Sequence, residues 1–122
     1  MQIYGHPGDR VDFVSKSGAA GAIMFGDPKS LCVEFFGKPH TEQGNTITYF
    51  KGAIAIDFES EKVSAIHIRP GASSEKVDVF LGRDKLNGLS HAELAELAGD
   101  RPVEAEFAAD DTPKLSRVSF TG

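Results

Sequence analysis

The sequence predicts an α+β fold: a mainly antiparallel sheet of about five to seven strands with two short helices packed on it. Three observations carry this. Apolar and polar residues alternate with period two in several separate stretches. Only two stretches, 27–37 and 90–99, combine helical spacing with start and stop signals. Short Gly, Pro, Asn and Asp clusters separate these segments, and no long linker or low-complexity tract interrupts them, so residues 1–122 read as a single domain.

From the N-terminus, Val11, Phe13 and Ser15 alternate with Asp12 and Val14 and predict a strand, preceded by a turn at Gly5, Pro7, Gly8 and Asp9. Residues 17–26 hold Gly18, Gly21 and Gly26 among small side chains, which predicts a loop or a weak edge strand rather than a helix. Asp27 is a good N-cap and Pro28 suits the first helical position; Leu31, Cys32, Phe35 and Phe36 then form one apolar stripe, closed by Gly37 and Pro39. Residues 46–50 are β-branched and aromatic and predict a strand. Ile54, Ile56 and Phe58 present one apolar face, a polar loop at 59–62 reverses the chain, and residues 63–68 return with Ile66 and Ile68 in phase. Val77, Val79 and Leu81 mark a fourth strand. Ser90 with Glu93 three residues later makes a capping box, and Leu89 with Leu94 a hydrophobic staple, so a second helix opens at 90 and ends at Gly99 before Pro102. Residues 103–107 and 115–120 predict a hairpin joined through Asp110, Asp111, Thr112 and Pro113.

Composition narrows the chemistry. Cys32 is the sole cysteine, which excludes an internal disulfide, a CxxC motif and a multi-cysteine zinc site; on its apolar stripe it reads as a small buried residue. The first residues lack the basic and apolar regions of a signal peptide, and no apolar run approaches the roughly 18 residues needed to span a bilayer, so the expected location is cytoplasmic. A net charge of −5 and a pI of about 5.3 disfavour a nucleic-acid backbone as partner. No Gly-x-Ser-x-Gly elbow, phosphate-binding loop or dinucleotide fingerprint is present, and no cofactor or metal is expected. Of the histidines His6, His40, His67 and His91, no two have the spacing of a metal-ligand pair on a helix or strand. His6, Asp9 and Asp12 form an H-x-x-D-x-x-D series that could surround a divalent cation, although a solvated turn is the simpler reading. His67 alternates with Ile66 and Ile68, so it faces the outer side of the sheet near Asp57 or Glu59, as a cross-strand pair or, alternatively, an acid–base pair.

The remaining lead is charge. Residues 93–111 contain seven carboxylates and one base, Arg101, a formal −6 against −5 for the whole chain. Such a concentration attracts a basic partner and speeds its association. The candidate partner-binding residues are Glu93, Glu96, Asp100, Glu104, Glu106, Asp110 and Asp111, with Phe107 as an aromatic anchor. In size, charge and class the chain resembles bacterial immunity proteins, which neutralise basic nuclease toxins; no motif carries the likeness and no residue role transfers with it. The expected function is that of a non-enzymatic interaction protein, an immunity or inhibitor protein for a basic toxin. Two alternatives are a small-molecule-binding domain or small enzyme, using His67 with Asp57 or His6 with Asp9, and a homo-oligomeric accessory protein that pairs through a sheet edge at 77–81.

Overall fold

The computed structural model describes residues 1–72, 76–107 and 115–122. Two helices and eleven strands occupy the described residues, in the order β1 (Gln2–His6), β2 (Arg10–Val14), β3 (Ala20–Met24), α1 (Lys29–Phe36), β4 (Thr41–Gln43), β5 (Thr46–Tyr49), β6 (Ile54–Glu59), β7 (Lys62–Ile68), β8 (Asp78–Leu81), β9 (Asp84–Lys85), α2 (His91–Ala98), β10 (Val103–Phe107) and β11 (Leu115–Thr121). The α+β class stands. The predicted single sheet is divided in two: a five-stranded sheet ordered β3-β2-β1-β8-β9 and a six-stranded sheet ordered β10-β11-β7-β6-β5-β4. Among the described strands only β1 and β8 run parallel; every other pairing is antiparallel.

The extra strands come from segments whose local signals point to turns. β1 runs straight through Gly5, because Gly5 lies beneath the ring of Phe120, where a Cβ would come within 2.1 Å of Phe120 Cε1. The glycine therefore serves sheet-on-sheet packing rather than a reversal. The turn itself is confined to residues 7–9. Alternation then does the rest: Ile3, Val11, Phe13, Ile23, Val79 and Leu81 from one sheet join Ile47, Ile54, Ile56, Ile66, Ile68, Val118 and Phe120 from the other in one buried cluster.

Both helices close this core. α1 lies over Phe13 and Tyr49, with the Phe36 ring 5.0 Å from one and 4.7 Å from the other. Its start differs from expectation: Pro28 is the N-cap and makes no side-chain cap. Asp27 is used elsewhere, its carboxylate accepting from Met24 N at 2.8 Å. α2 begins as predicted, with the reciprocal Ser90–Glu93 capping box, and buries Leu94 and Ala98. The 77–81 segment is not an edge, since β8 is flanked by β1 and β9. No helix among the described residues is long and apolar enough to cross a membrane.

Candidate functional site

The outer face of the six-stranded sheet follows from register. Cross-strand partners share a face, and one row of partners runs across all six strands: Glu104, Ser119, His67, Ala55, Thr48 and Thr41. A second row holds Thr121, Ala65, Asp57, Thr46 and Gln43. Glu106 opposite Arg117 stands on the same face, two positions beyond the first row on the side away from the second. The intervening positions (Val103, Phe120, Ile66, Ile56 and Ile47) point into the core. Both helices pack on that core side, so the outer face is covered by neither.

Two β-bulges aim its charged groups. Ser64 is the extra residue opposite the Asp57/Phe58 step, and Ser116 the extra one opposite Glu106/Phe107. The shifts keep Phe58, Val63 and Leu115 buried while Asp57 and Arg117 stay on the outer side.

A hydrogen-bonded chain crosses four strands here. Thr46 Oγ1 donates to Asp57 Oδ1 at 2.6 Å, His67 Nε2 lies 2.7 Å from Asp57 Oδ2, and His67 Nδ1 lies 2.7 Å from Ser119 Oγ. An ionised carboxylate only accepts, so Nε2 carries a proton, and a neutral ring then accepts the Ser119 hydroxyl at Nδ1. Burial pushes the Asp57 carboxyl up, but the hydrogen bonds from Thr46 and His67 and the charges of His67 and Arg117 outweigh it and leave its pKa below the ordinary value. Arg117 Nη2 donates to Glu106 Oε1 at 2.6 Å, while its buried Nε has no hydrogen-bond partner among the described residues.

The composition of this chain is that of a serine nucleophile, a base and a carboxylate, but its setting differs from a hydrolytic site. Ser119 is only 4% exposed. β11 and β7 are paired on both sides around Ser119 and His67, so their N–H groups serve the ladders. The row therefore offers a base and a hydroxyl, and these two strands leave no free backbone N–H beside them for an oxyanion. The open grooves defined by described residues lie elsewhere, one along Met1, Gln2, Val14, Ser15 and Lys16, another between α2 and β10.

The predicted acidic residues separate into two groups. Glu104 and Glu106 stand on the outer face. α2 lies against the other side of β10, beside Val103, Ala105 and Phe107. Glu93 and Glu96 on α2 thus line a groove with Asp84, Lys85 and Leu89, away from that face. Glu93 is committed to the capping box, whose Ser90 backbone and side-chain hydrogen bonds hold its carboxyl below the ordinary range. Asp100 is exposed just past the Gly99 C-cap, where Arg101 closes the helix on Leu97 and Ala98 carbonyls. Phe107 faces the core side, its ring 5.3 Å from His91. Asp110 and Asp111 lie outside the described residues.

On the other sheet, His6 Nε2 and Arg10 Nε each lie 3.0 Å from the Asp12 carboxylate, and Arg10 also binds Asp9 at 2.6 Å. A guanidinium thus occupies the place at which the H-x-x-D-x-x-D series could have set a cation, and no three His, Cys, Asp or Glu side chains converge among the described residues. Cys32 is fully buried and its thiol is pushed up to about 11, chiefly by burial. His67 and Asp57 are visible in the sequence as a candidate pair, whereas Ser119, Thr46 and Arg117 are not. Their signal is the outward phase of polar residues in strands 46–49 and 115–121, which becomes specific only once register is known. No family model, curated protein or solved structure matches this chain.

Proposed function

We propose that this chain is a non-catalytic interaction protein of the immunity or inhibitor type, binding a basic, nuclease-like partner through the outer face of its six-stranded sheet. One observation carries the reading: a whole face of a six-stranded sheet is left open by both helices and, among the described residues of its two rows, bears Asp57 and Glu104 and no lysine or arginine, with Glu106 beside them in an ion pair with Arg117. The face is also low. Ala55, Ala65, Ser119, Thr46 and Thr48 are short, so a partner's long Lys or Arg side chains can reach down to Glu104, and meet Asp57 and Glu106 already paired with His67 and Arg117. The Thr46–Asp57–His67–Ser119 chain fixes the central carboxylate in place before binding, which reduces the ordering cost of association.

The test uses a panel of basic toxin nuclease domains as probes, titrated calorimetrically at low and physiological salt with nuclease activity followed in parallel. Affinity is expected to fall steeply as salt rises. The pair Glu104→Lys and Glu106→Lys is expected to weaken binding about tenfold or more, while Glu96→Lys, on the α2 side, leaves it unchanged. Binding indifferent to salt and to the paired reversal, or an undiminished nuclease, refutes the reading.

A further inference from the structure

We infer that the chain associates with a second copy of itself through β3, the free edge of the five-stranded sheet. The other three edges are defended. β9 is two residues long and both are charged, β4 is three residues long with Glu42 bound by Lys29, and β10 follows Pro102 and carries Glu104 and Glu106. β3, by contrast, reads Ala-Gly-Ala-Ile-Met and holds no charge.

The ladder fixes which of its backbone groups are free. Ser15 N donates to Ala19 O, and Phe25 N to Asp9 O, so residues 19, 21, 23 and 25 turn their groups to β2 and Ala20, Ala22 and Met24 turn theirs outward. Met24 is closed off by Asp27, which accepts from its N–H and donates its own N–H to its carbonyl. Ala20 and Ala22 keep four outward groups with no partner among the described residues. An antiparallel second copy with its two-fold axis between the two Gly21 residues pairs each Ala20 with the other copy's Ala22 and satisfies all four groups on each chain.

The side chains suit the same axis. The Phe35 ring lies over Gly21, where a Cβ would come within 1.9 Å of its Cε2. A two-fold axis perpendicular to the sheet keeps α1 on the same side in both copies, so the two Phe35 rings flank it. Leu31, one turn earlier on α1, and Phe50, which adjoins Phe36, extend this surface. These residues are 39% (Leu31), 41% (Phe35) and 40% (Phe50) exposed, three of the four large hydrophobic residues exposed among the described residues. The fourth, Met24, 49% exposed, stands on the same strand. The antiparallel register also brings the hairpin tip of one copy, with Lys16, to the Asp27 end of the other, which places opposite charges at both ends of the seam. Taking about 200 Å² for a large apolar side chain, Leu31, Phe35 and Phe50 each offer about 80 Å²; with the strand edges, the pair of copies buries on the order of 1,000 Å², the low end for a specific interface. The dimer is therefore weak and concentration-dependent, whereas a stable obligate pair would need about twice that area.

The experiment is sedimentation equilibrium on the full chain from about 1 μM to about 1 mM, on wild type, Ala22→Pro and Leu31→Glu. Ala22 turns its N–H away from β2, so proline there leaves the fold's own ladder intact and blocks the incoming strand. The wild-type mass is expected to rise from 13.1 kDa toward twice that value, with each variant shifting the transition at least tenfold upward in concentration. A wild type that stays at 13.1 kDa throughout overturns the inference, as does self-association unchanged in both variants. If circular dichroism shows that Ala22→Pro does not fold, Leu31→Glu decides alone.

Discussion

Gly5 beneath Phe120 offers a quantitative test of how the two sheets are joined. In Gly5→Ala the added methyl carbon would lie 2.1, 2.3 and 2.6 Å from three ring carbons of Phe120. Carbon atoms in contact prefer about 3.5–4.0 Å, so roughly 1.5 Å must be found. Phe120 is fully buried, and its strand neighbours Ile66 and Val118 are buried too, so the ring cannot swing toward solvent. The substitution then forces a shift of β1 or a strained rotamer, and overpacking of this kind costs about 3 kcal/mol. For a chain of this length that is about 10 °C in Tm. The second half of the test reverses the first. Phe120→Leu alone removes ring volume and costs about 1–3 kcal/mol, but it also vacates the space that the methyl group added at position 5 would occupy. In that background Gly5→Ala is expected to cost less than about 0.5 kcal/mol, giving a coupling of about 2 kcal/mol or more. Urea unfolding of the four proteins at one pH supplies the cycle. Equal costs of Gly5→Ala in both backgrounds, or a cost below about 0.5 kcal/mol in wild type, would refute the packing of β1 on β11 and with it the position of the outer row, since Ser119 is the residue next to Phe120.

The other expectations concern individual groups. Asp57→Asn removes a charge-assisted contact to His67 and is expected to cost about 1 kcal/mol near neutral pH. Because the folded carboxyl lies below its ordinary value of 3.8, its contribution is complete above that value and is lost as pH falls through the lowered folded pKa; urea midpoints of the two proteins should converge toward acid pH, and a gap that widens there contradicts the hydrogen-bonded carboxylate. Cys32, buried with its thiol pushed up to about 11, should react with a thiol reagent at mildly alkaline pH only as fast as the fold opens. Rapid stoichiometric labelling of the native chain would place it outside the core.

What could be read from the sequence is what depends on neighbours close in the chain. The capping box of α2 needs only Ser90 and Glu93, and it forms as predicted. The β5–β6–β7 meander is legible because alternation and short connections fix local pairing. β1 was hidden by Gly5, whose reason for being small is the side chain of Phe120, 115 positions away in a different sheet (120 minus 5). Asp27 illustrates the same limit: a good N-cap by residue type, it is drawn instead to the outward N–H of Met24. The division into two sheets, and the parallel pairing of β1 with β8, likewise depend on contacts between distant segments for which local periodicity has no signal.

The same limit explains why the acidic stretch and the acidic face are different objects. Charge density along the chain counts Glu93, Glu96, Glu104 and Glu106 together, but β10 stands between α2 and the outer face, and alternation sends Glu104 and Glu106 through to the side that α2 does not occupy. Strand register, meanwhile, recruits Asp57 from nearly fifty residues earlier (104 minus 57 is 47) into the company of Glu104. A partner senses the field in space, so the relevant anions are those that register collects rather than those that sequence lists consecutively. It follows that reversing charge at Glu93 or Glu96, although these belong to the densest acidic segment, should disturb helix capping or the α2 groove. On the proposed reading, reversing it at Glu104 or Glu106 should weaken binding of a basic partner.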